Sequence, residues 1–259
     1  MTKIKLRLSY DGTDFQGWQR QPAGSPSIQA ALEGVLSQLF SETIKVVGSG
    51  RTDAGTHAVG QIAHFTPSKP FAQEKRLVRA INSLLPDSIV VKDAWKAPDD
   101  FHSLFSARCK TYIYRIWNDP VRSALWRNRA LWVPQPLDLD LLNQYASGIV
   151  GEKDFKSFQS AGTPVKTTVR RIMDAKWKPF KNGPLLEFRI TGNGFLKQMV
   201  RNLVGTQLYL ERHRSELARL YDIFDAKDRQ AAKATAASHG LYLYRVEYPP
   251  ALDNKCLKL

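Results

Sequence analysis

The stretch GSGRTDAG, residues 48–55, sets Arg51 two positions before Asp53, among glycines at 48, 50, 55 and 60. A guanidinium near a carboxylate favours its ionised form. An ionised aspartate can serve as a nucleophile or as an acid–base group. The same residues also fit an Asx or glycine turn, with Asp53 bonding backbone amides near Gly55. Local sequence leaves both readings open. In GFLKQMVRNLVG, residues 194–205, Arg201 lies near the edge of the apolar stripe formed by Phe195, Met199 and Leu203. A half-buried arginine needs a carboxylate partner, and Asp53 is the expected one. In KTYIYRIW, Tyr112 and Tyr114 are two apart. On a strand they share a face, either as core or as a platform on which a base stacks.

Other chemistries fit less well. Gly48 and Gly50 follow an expected strand, but Asp53 stands at the third glycine position of a dinucleotide fingerprint and a second strand follows. GNGFLKQ opens a helix with Lys197 at that position, and no G-x-x-x-x-G-K-[ST] occurs. The histidines at 57, 64, 102, 213 and 239 form no zinc motif. Ser49, Asp53 and His57 could be arranged as a triad, but no G-x-S-x-G elbow carries the serine. Cys109 and Cys256 suggest neither a disulfide framework nor a cysteine metal site. No cofactor and no metal is expected.

Charge points to the partner. The 259 residues carry 38 Lys plus Arg against 24 Asp plus Glu, a formal charge of +14. Residues 1–100 hold 12 against 10, and residues 101–259 hold 26 against 14, so the excess is +2 and then +12. A polyanion such as nucleic acid is the natural ligand. The N-terminal MTKIKLRLSY lacks the apolar segment of a signal peptide. No apolar run reaches membrane-spanning length. A cytoplasmic protein with no membrane contact is expected.

Periodicity supplies the elements that must position these residues. KIKLRLS alternates as a strand, a loop follows over 10–26, and residues 28–39 have helical spacing behind Ser25 or Ser27. Strands are expected over 43–48, 57–66 and 88–95, with a helix over 72–85. That order is β-α-β-β-α-β, the split ferredoxin-like pattern. The second half repeats it with strands over 106–117, 169–177, 184–191 and 241–248. Its helices are expected over 139–150 and 195–212, with two more over 215–224 and 228–238. The expected fold is therefore α+β. Two ferredoxin-like halves, 1–103 with the Asp53 loop and a strongly basic 104–259, form an extended, mainly antiparallel sheet. Helices lie on one side, and a central cleft binds RNA.

The motifs SYDGTDFQGWQRQ, GSGRTDAGTHAVGQIAHF, FHSLFSARCKTYIYRI, GNGFLKQMVRNLVG and GLYLYRVEYP run in order from residue 9 to residue 249. Together they resemble the tRNA pseudouridine synthase A family. The resemblance implies isomerisation of uridine to pseudouridine in tRNA, at positions 38, 39 and 40 of the anticodon stem-loop, without cofactor or metal. It implies a homodimer. By the resemblance Asp53 is the catalytic aspartate, Tyr112 stacks on the target base, and Arg201 is the basic residue paired with the aspartate. Arg51 helps hold the base out of the stack. Thr56 stands where valine is common in the family. Two competing readings are a non-catalytic RNA-binding protein of the same element order and a different RNA-directed enzyme using Asp53. Against the first, KTYIYRIW lacks the aromatic pattern of an RNA-recognition strand.

Overall fold

The computed structural model describes residues 2–21, 24–162, 164–180 and 183–259. The expected loop over 10–26 therefore includes two residues, Pro22 and Ala23, that lie outside the described ones. The chain divides into two compact units, Met1–Arg108 with Leu243–Leu259, and Cys109–Tyr242.

The first unit opens with β1 (Lys3–Tyr10) and α1 (Ile28–Phe40). The Ser27 side chain caps α1 by accepting from the Ala30 amide, and Ile28, Leu32 and Leu36 are buried at helical spacing. Next come β2 (Val47–Gly48), β3 (His57–Phe65), α2 (Leu77–Asn82) and β4 (Ile89–Ala97). Both β3 and β4 run antiparallel to β1, and β2 runs antiparallel to β3.

Two elements are shorter than periodicity suggested. Residues 43–46 do not join the ladder because α1 takes their polar groups. The Glu33 carboxylate accepts from the Val46 amide at 2.9 Å, Gln29 donates to the Val46 carbonyl at 3.0 Å, and the Ser37 hydroxyl accepts from the Ile44 amide. Of the expected helix over 72–85, Glu74–Arg76 forms a 3₁₀ turn with no buried residue, so only Leu77–Asn82 gains an apolar face. Asn82 then donates to the Val91 carbonyl and accepts from its amide, tying α2 to β4.

The second unit holds β5 (Cys109–Trp117), β6 (Leu131–Trp132), α3 (Leu139–Ile149), β7 (Gly151–Asp154), β8 (Val169–Pro179), β9 (Leu185–Gly192), α4 (Met199–Arg212) and α5 (Leu217–Ala226). Its strand order is β5-β9-β8-β7, all antiparallel, with β6 parallel to β5. Helices α3 and α4 lie on one face, since both reach Trp177. Asn143 bonds its backbone, and its indole donates to Gln207 at 2.9 Å.

The expected helix over 228–238 is absent. That segment runs as a strap along α4. Arg229 and Thr235 both donate to the Asn202 side chain, the Lys233 amide donates to Thr206, and the Ala236 amide donates to the Arg201 carbonyl. Its alanines suit helix by propensity, but here they let the strap lie close. A Cβ on Gly205 would sit 1.9 Å from the Ala234 carbonyl oxygen.

The chain then returns to the first unit. In β10 (Leu241–Glu247) the residues from Leu243 onward lie beside β3, and α6 (Pro250–Asp253) and β11 (Leu257–Lys258) follow. The C-terminal residues Leu243–Leu259 group with the first unit. Side-chain and main-chain bonds hold them there. The Arg108 amide donates to Glu247, Tyr248 donates to the Ser103 carbonyl, and Lys5 pairs with Asp253. The architecture is mixed α+β with mostly antiparallel sheet. Among the described residues no helix is long and apolar enough to cross a membrane.

Candidate active site

Arg51 and Asp53 lie in the loop between β2 and β3, with Arg51 exposed and Asp53 half-buried. Residues on either side of them are anchored inward. The Ser49 amide donates to Ile62 at 2.7 Å, and the Ser49 hydroxyl donates to Gln61 at 2.6 Å. Gln61, fully buried, returns a bond to the Gly50 carbonyl at 2.9 Å. Thr52 meets the Tyr10 hydroxyl at 2.8 Å. Burial pushes that phenol up to about 12, against the opposing bonds from Thr52 and Gln61, so it acts as a neutral hydrogen-bonding post.

The loop over residues 11–18 holds the rest. The Trp18 amide donates to Thr52, and the Gly55 amide donates to Phe15. Gly55 adopts φ 73 and closes a turn in which the Thr56 amide donates to the Asp53 carbonyl at 3.1 Å. The turn here runs through the Asp53 main-chain oxygen. A bound backbone presents a half-exposed side chain.

The hydrolase triad has no geometric basis. The Ser49 hydroxyl is spent on Gln61, and the His57 Nδ1 accepts from the Gly12 amide at 3.1 Å beside Asp11. Two of the glycines are set by packing. A Cβ on Gly48 would lie 2.5 Å from the Trp18 ring, and one on Gly60 would lie 2.5 Å from the Tyr244 carbonyl oxygen. Those two positions admit protein neighbours.

Tyr112 and Arg201 belong to the second unit. Tyr112 pairs across to Ile190 on β9, and its ring meets Phe195 edge-on at 5.1 Å. Tyr114 separates from it in role. It is fully buried beneath Gly240, donates to the Ala237 carbonyl at 2.8 Å, and is raised in pKa by burial. It is core. Arg201 lies in the first turn of α4, half-buried, with its Nε donating to the Ala236 carbonyl at 2.8 Å. The strap over 229–237 therefore aims this guanidinium. The helix begins at Met199 rather than at 195, because Gln198 takes φ 58 and the Met199 amide caps onto Leu196.

Lys110 escaped the reading of the sequence. It shares the Tyr112 face of β5, two residues before it, and burial lowers its pKa to about 8. Its sequence signal was the spacing in KTY.

A buried histidine behind β2 gives a pH prediction. The His64 Nδ1 accepts from the Ser103 amide at 3.2 Å, while the Ser103 hydroxyl donates to Val47 at 2.6 Å. Burial first, then the neighbouring His102 and Lys3, lower its pKa from 6.5 to about 4. The folded state refuses a proton that the unfolded state accepts. Stability is full above the unfolded value of 6.5 and declines as pH falls towards 4, by on the order of 2 kcal/mol. Thermal melts between pH 7 and pH 4.5 should show this decline, and His64→Gln should flatten it. An equal decline in the variant would rule out His64 as its source.

A family model described as tRNA pseudouridine synthase matches residues 8–106 and 146–249. The chain is 48% identical to a tRNA pseudouridine synthase A of Bdellovibrio bacteriovorus, covering 100% of this chain and 99% of that one. It is 43% identical to one of Maridesulfovibrio salexigens over 96% and 91% of the two chains. It is 40% identical to one of Geobacillus kaustophilus over 98% and 96%.

Proposed function

Since the chain belongs to the tRNA pseudouridine synthase family and is an isomerase of tRNA uridine, we propose that it acts at positions 38, 39 and 40 of the anticodon stem-loop, with Asp53 as nucleophile on a flipped-out base. The observation that carries the assignment is the loop itself. Backbone bonds on both sides fix it, and they present Asp53 half-exposed beside an exposed Arg51. Two ferredoxin-like halves are the matching fold reading. It is supported in the first unit by β2 and β4 lying outside β3 and β1. The working form is a cytoplasmic homodimer.

The reaction breaks the N1–C1′ bond of uridine, turns the base, and joins C1′ to C5, with the C5 proton lost and a proton gained at N1. A stacked base cannot be reached, so it must leave the stack at a cost of roughly a few kcal/mol. Stacking on Tyr112 returns about 1–3 kcal/mol of that. Arg51 holds the vacated position, and Arg201 supplies a second cationic contact to the substrate. The ionised Asp53 carboxylate bonds to C6 of the base or to C1′ and is released as C1′ joins C5, and no cofactor takes part.

Incubation with unmodified tRNA and mapping of the product nucleoside tests this. Pseudouridine confined to positions 38–40 is expected, and pseudouridine elsewhere would move the assignment to another site. Binding should also weaken steeply with salt, because RNA contacts to Lys and Arg release counterions. Between 50 and 200 mM salt the loss in tRNA affinity should reach about 10²- to 10³-fold. A flat dependence, measured by filter binding, would contradict phosphate tracking by the basic residues 101–259.

A further inference from the structure

Phe105 has no place in the chemistry above, yet the residue is 82% exposed. It is also firmly held. The ring stacks on His102 at 4.3 Å between centroids and 27° between planes. His102 is fixed in turn, since its Nδ1 accepts from the amides of Leu104 and Phe105 at 3.2 and 3.1 Å. Its own amide donates to the Ser106 hydroxyl, and the Ser106 amide donates back to the His102 carbonyl. Behind it lies the His64 ring, at 4.8 Å.

Two amide donors on Nδ1 require the neutral ring, and burial together with Lys3 lowers the His102 pKa in the same sense. An ordered, uncharged histidine thus backs one face of a phenylalanine whose other surface meets solvent. Such a ring covers no core, so packing does not explain it. With Leu104 as its only strongly exposed apolar neighbour in the turn, it is far too small to serve as a subunit interface. It does match one nucleobase. Every base has a π face, and stacking on a fixed aromatic ring costs little ordering entropy. Arg108, exposed three residues on, adds positive charge for the phosphates flanking such a base.

We propose that Phe105, backed by His102, is a stacking platform for an unpaired base of the tRNA substrate other than the uridine that reacts. The inference rests on the tRNA-directed activity proposed above. Phe105→Ala should weaken tRNA binding and raise KM about 5- to 50-fold, leave kcat at saturation and the melting temperature unchanged, and be rescued by Phe105→Trp. The loss should appear with an anticodon stem-loop and vanish with a blunt RNA duplex of equal length. Unchanged affinity in Phe105→Ala, equal loss on loop and duplex, or failure of Trp to rescue would each overturn the platform. So would a change of oligomeric state, seen by sedimentation, that accounts for the loss. Pseudouridine formation by the unaltered protein in the same assay keeps the two readings apart. Its absence overturns the activity, whereas its presence with unaltered Phe105→Ala binding overturns the platform alone.

Discussion

Asp53→Asn should bind tRNA as tightly as the parent protein, melt at the same temperature, and lose turnover by at least about 1,000-fold, the scale on which removing a nucleophile acts. The substitution keeps shape and removes charge and nucleophilicity. The loop should tolerate it, because the bonds that anchor the loop run through neighbouring residues. Trp18 reaches the Thr52 carbonyl, Gly55 reaches Phe15, and the Thr56 amide uses the Asp53 main-chain oxygen. Tritium release from tRNA carrying 5-tritiated uridine reads the chemistry directly, since C5 loses its proton only when the new bond forms. Normal release by the variant would remove Asp53 as nucleophile. Loss of tRNA binding alongside loss of release would make it a binding residue instead.

Most of the strands were legible in the sequence because each buries one face and so alternates. The strand patterns of KIKLRLS and HAVGQIAHFT became β1 and β3 with ends shifted by a residue. The failures share a cause. Val46 and Ile44 have strand-like side chains, but Glu33, Gln29 and Ser37 of α1 take their backbone groups. Residues 228–238 have helix-forming alanines, but the Lys233 and Ala236 amides donate to Thr206 and to the Arg201 carbonyl of α4, and the Arg229 and Thr235 side chains donate to Asn202. In both places long-range side-chain bonds defeat a local preference, and a single sequence carries no sign of such bonds. The candidate site was legible as residue types and not as support. Arg51 and Asp53 could be read from one loop, whereas the bonds that hold that loop, from Tyr10 on β1 and Gln61 on β3, are not written in the loop's own residues. Tyr112 and Tyr114 are equivalent by spacing and both are buried, but Tyr114 is wholly enclosed, beneath Gly240 and bonded to Ala237.

That dependence on support gives the second large effect, at a residue that carries no chemistry. Gly12 lies against the turn that ends the Asp53 loop. A Cβ there would stand 2.1 Å from the Thr56 carbonyl oxygen and 2.7 Å from its carbon. Both are backbone atoms, so no side chain can rotate away. Nor can the Gly12 segment retreat cheaply, since its amide is tied to the His57 Nδ1. In Gly12→Ala the Thr56 peptide must therefore move. The Thr56 amide is bonded to the Asp53 carbonyl at 3.1 Å, so the displacement passes to the residue three positions before it. A shift of about 1 Å in a reacting group costs on the order of 100-fold in rate. Overpacking of this kind costs about 1–3 kcal/mol of stability. Gly12→Ala should thus stay folded at assay temperature, melt a few degrees lower, and turn over tRNA about 100-fold more slowly in kcat with little change in KM. Gly34→Ala is the matched control. Gly34 lies exposed in α1 with open space around its Cβ, and alanine there should raise stability by about 0.5–1 kcal/mol and leave the rate alone. If Gly12→Ala is destabilised as expected but keeps its kcat, the Thr56 peptide moves independently of the Asp53 carboxylate. The loop would then be held from β2 and the Tyr10 side alone.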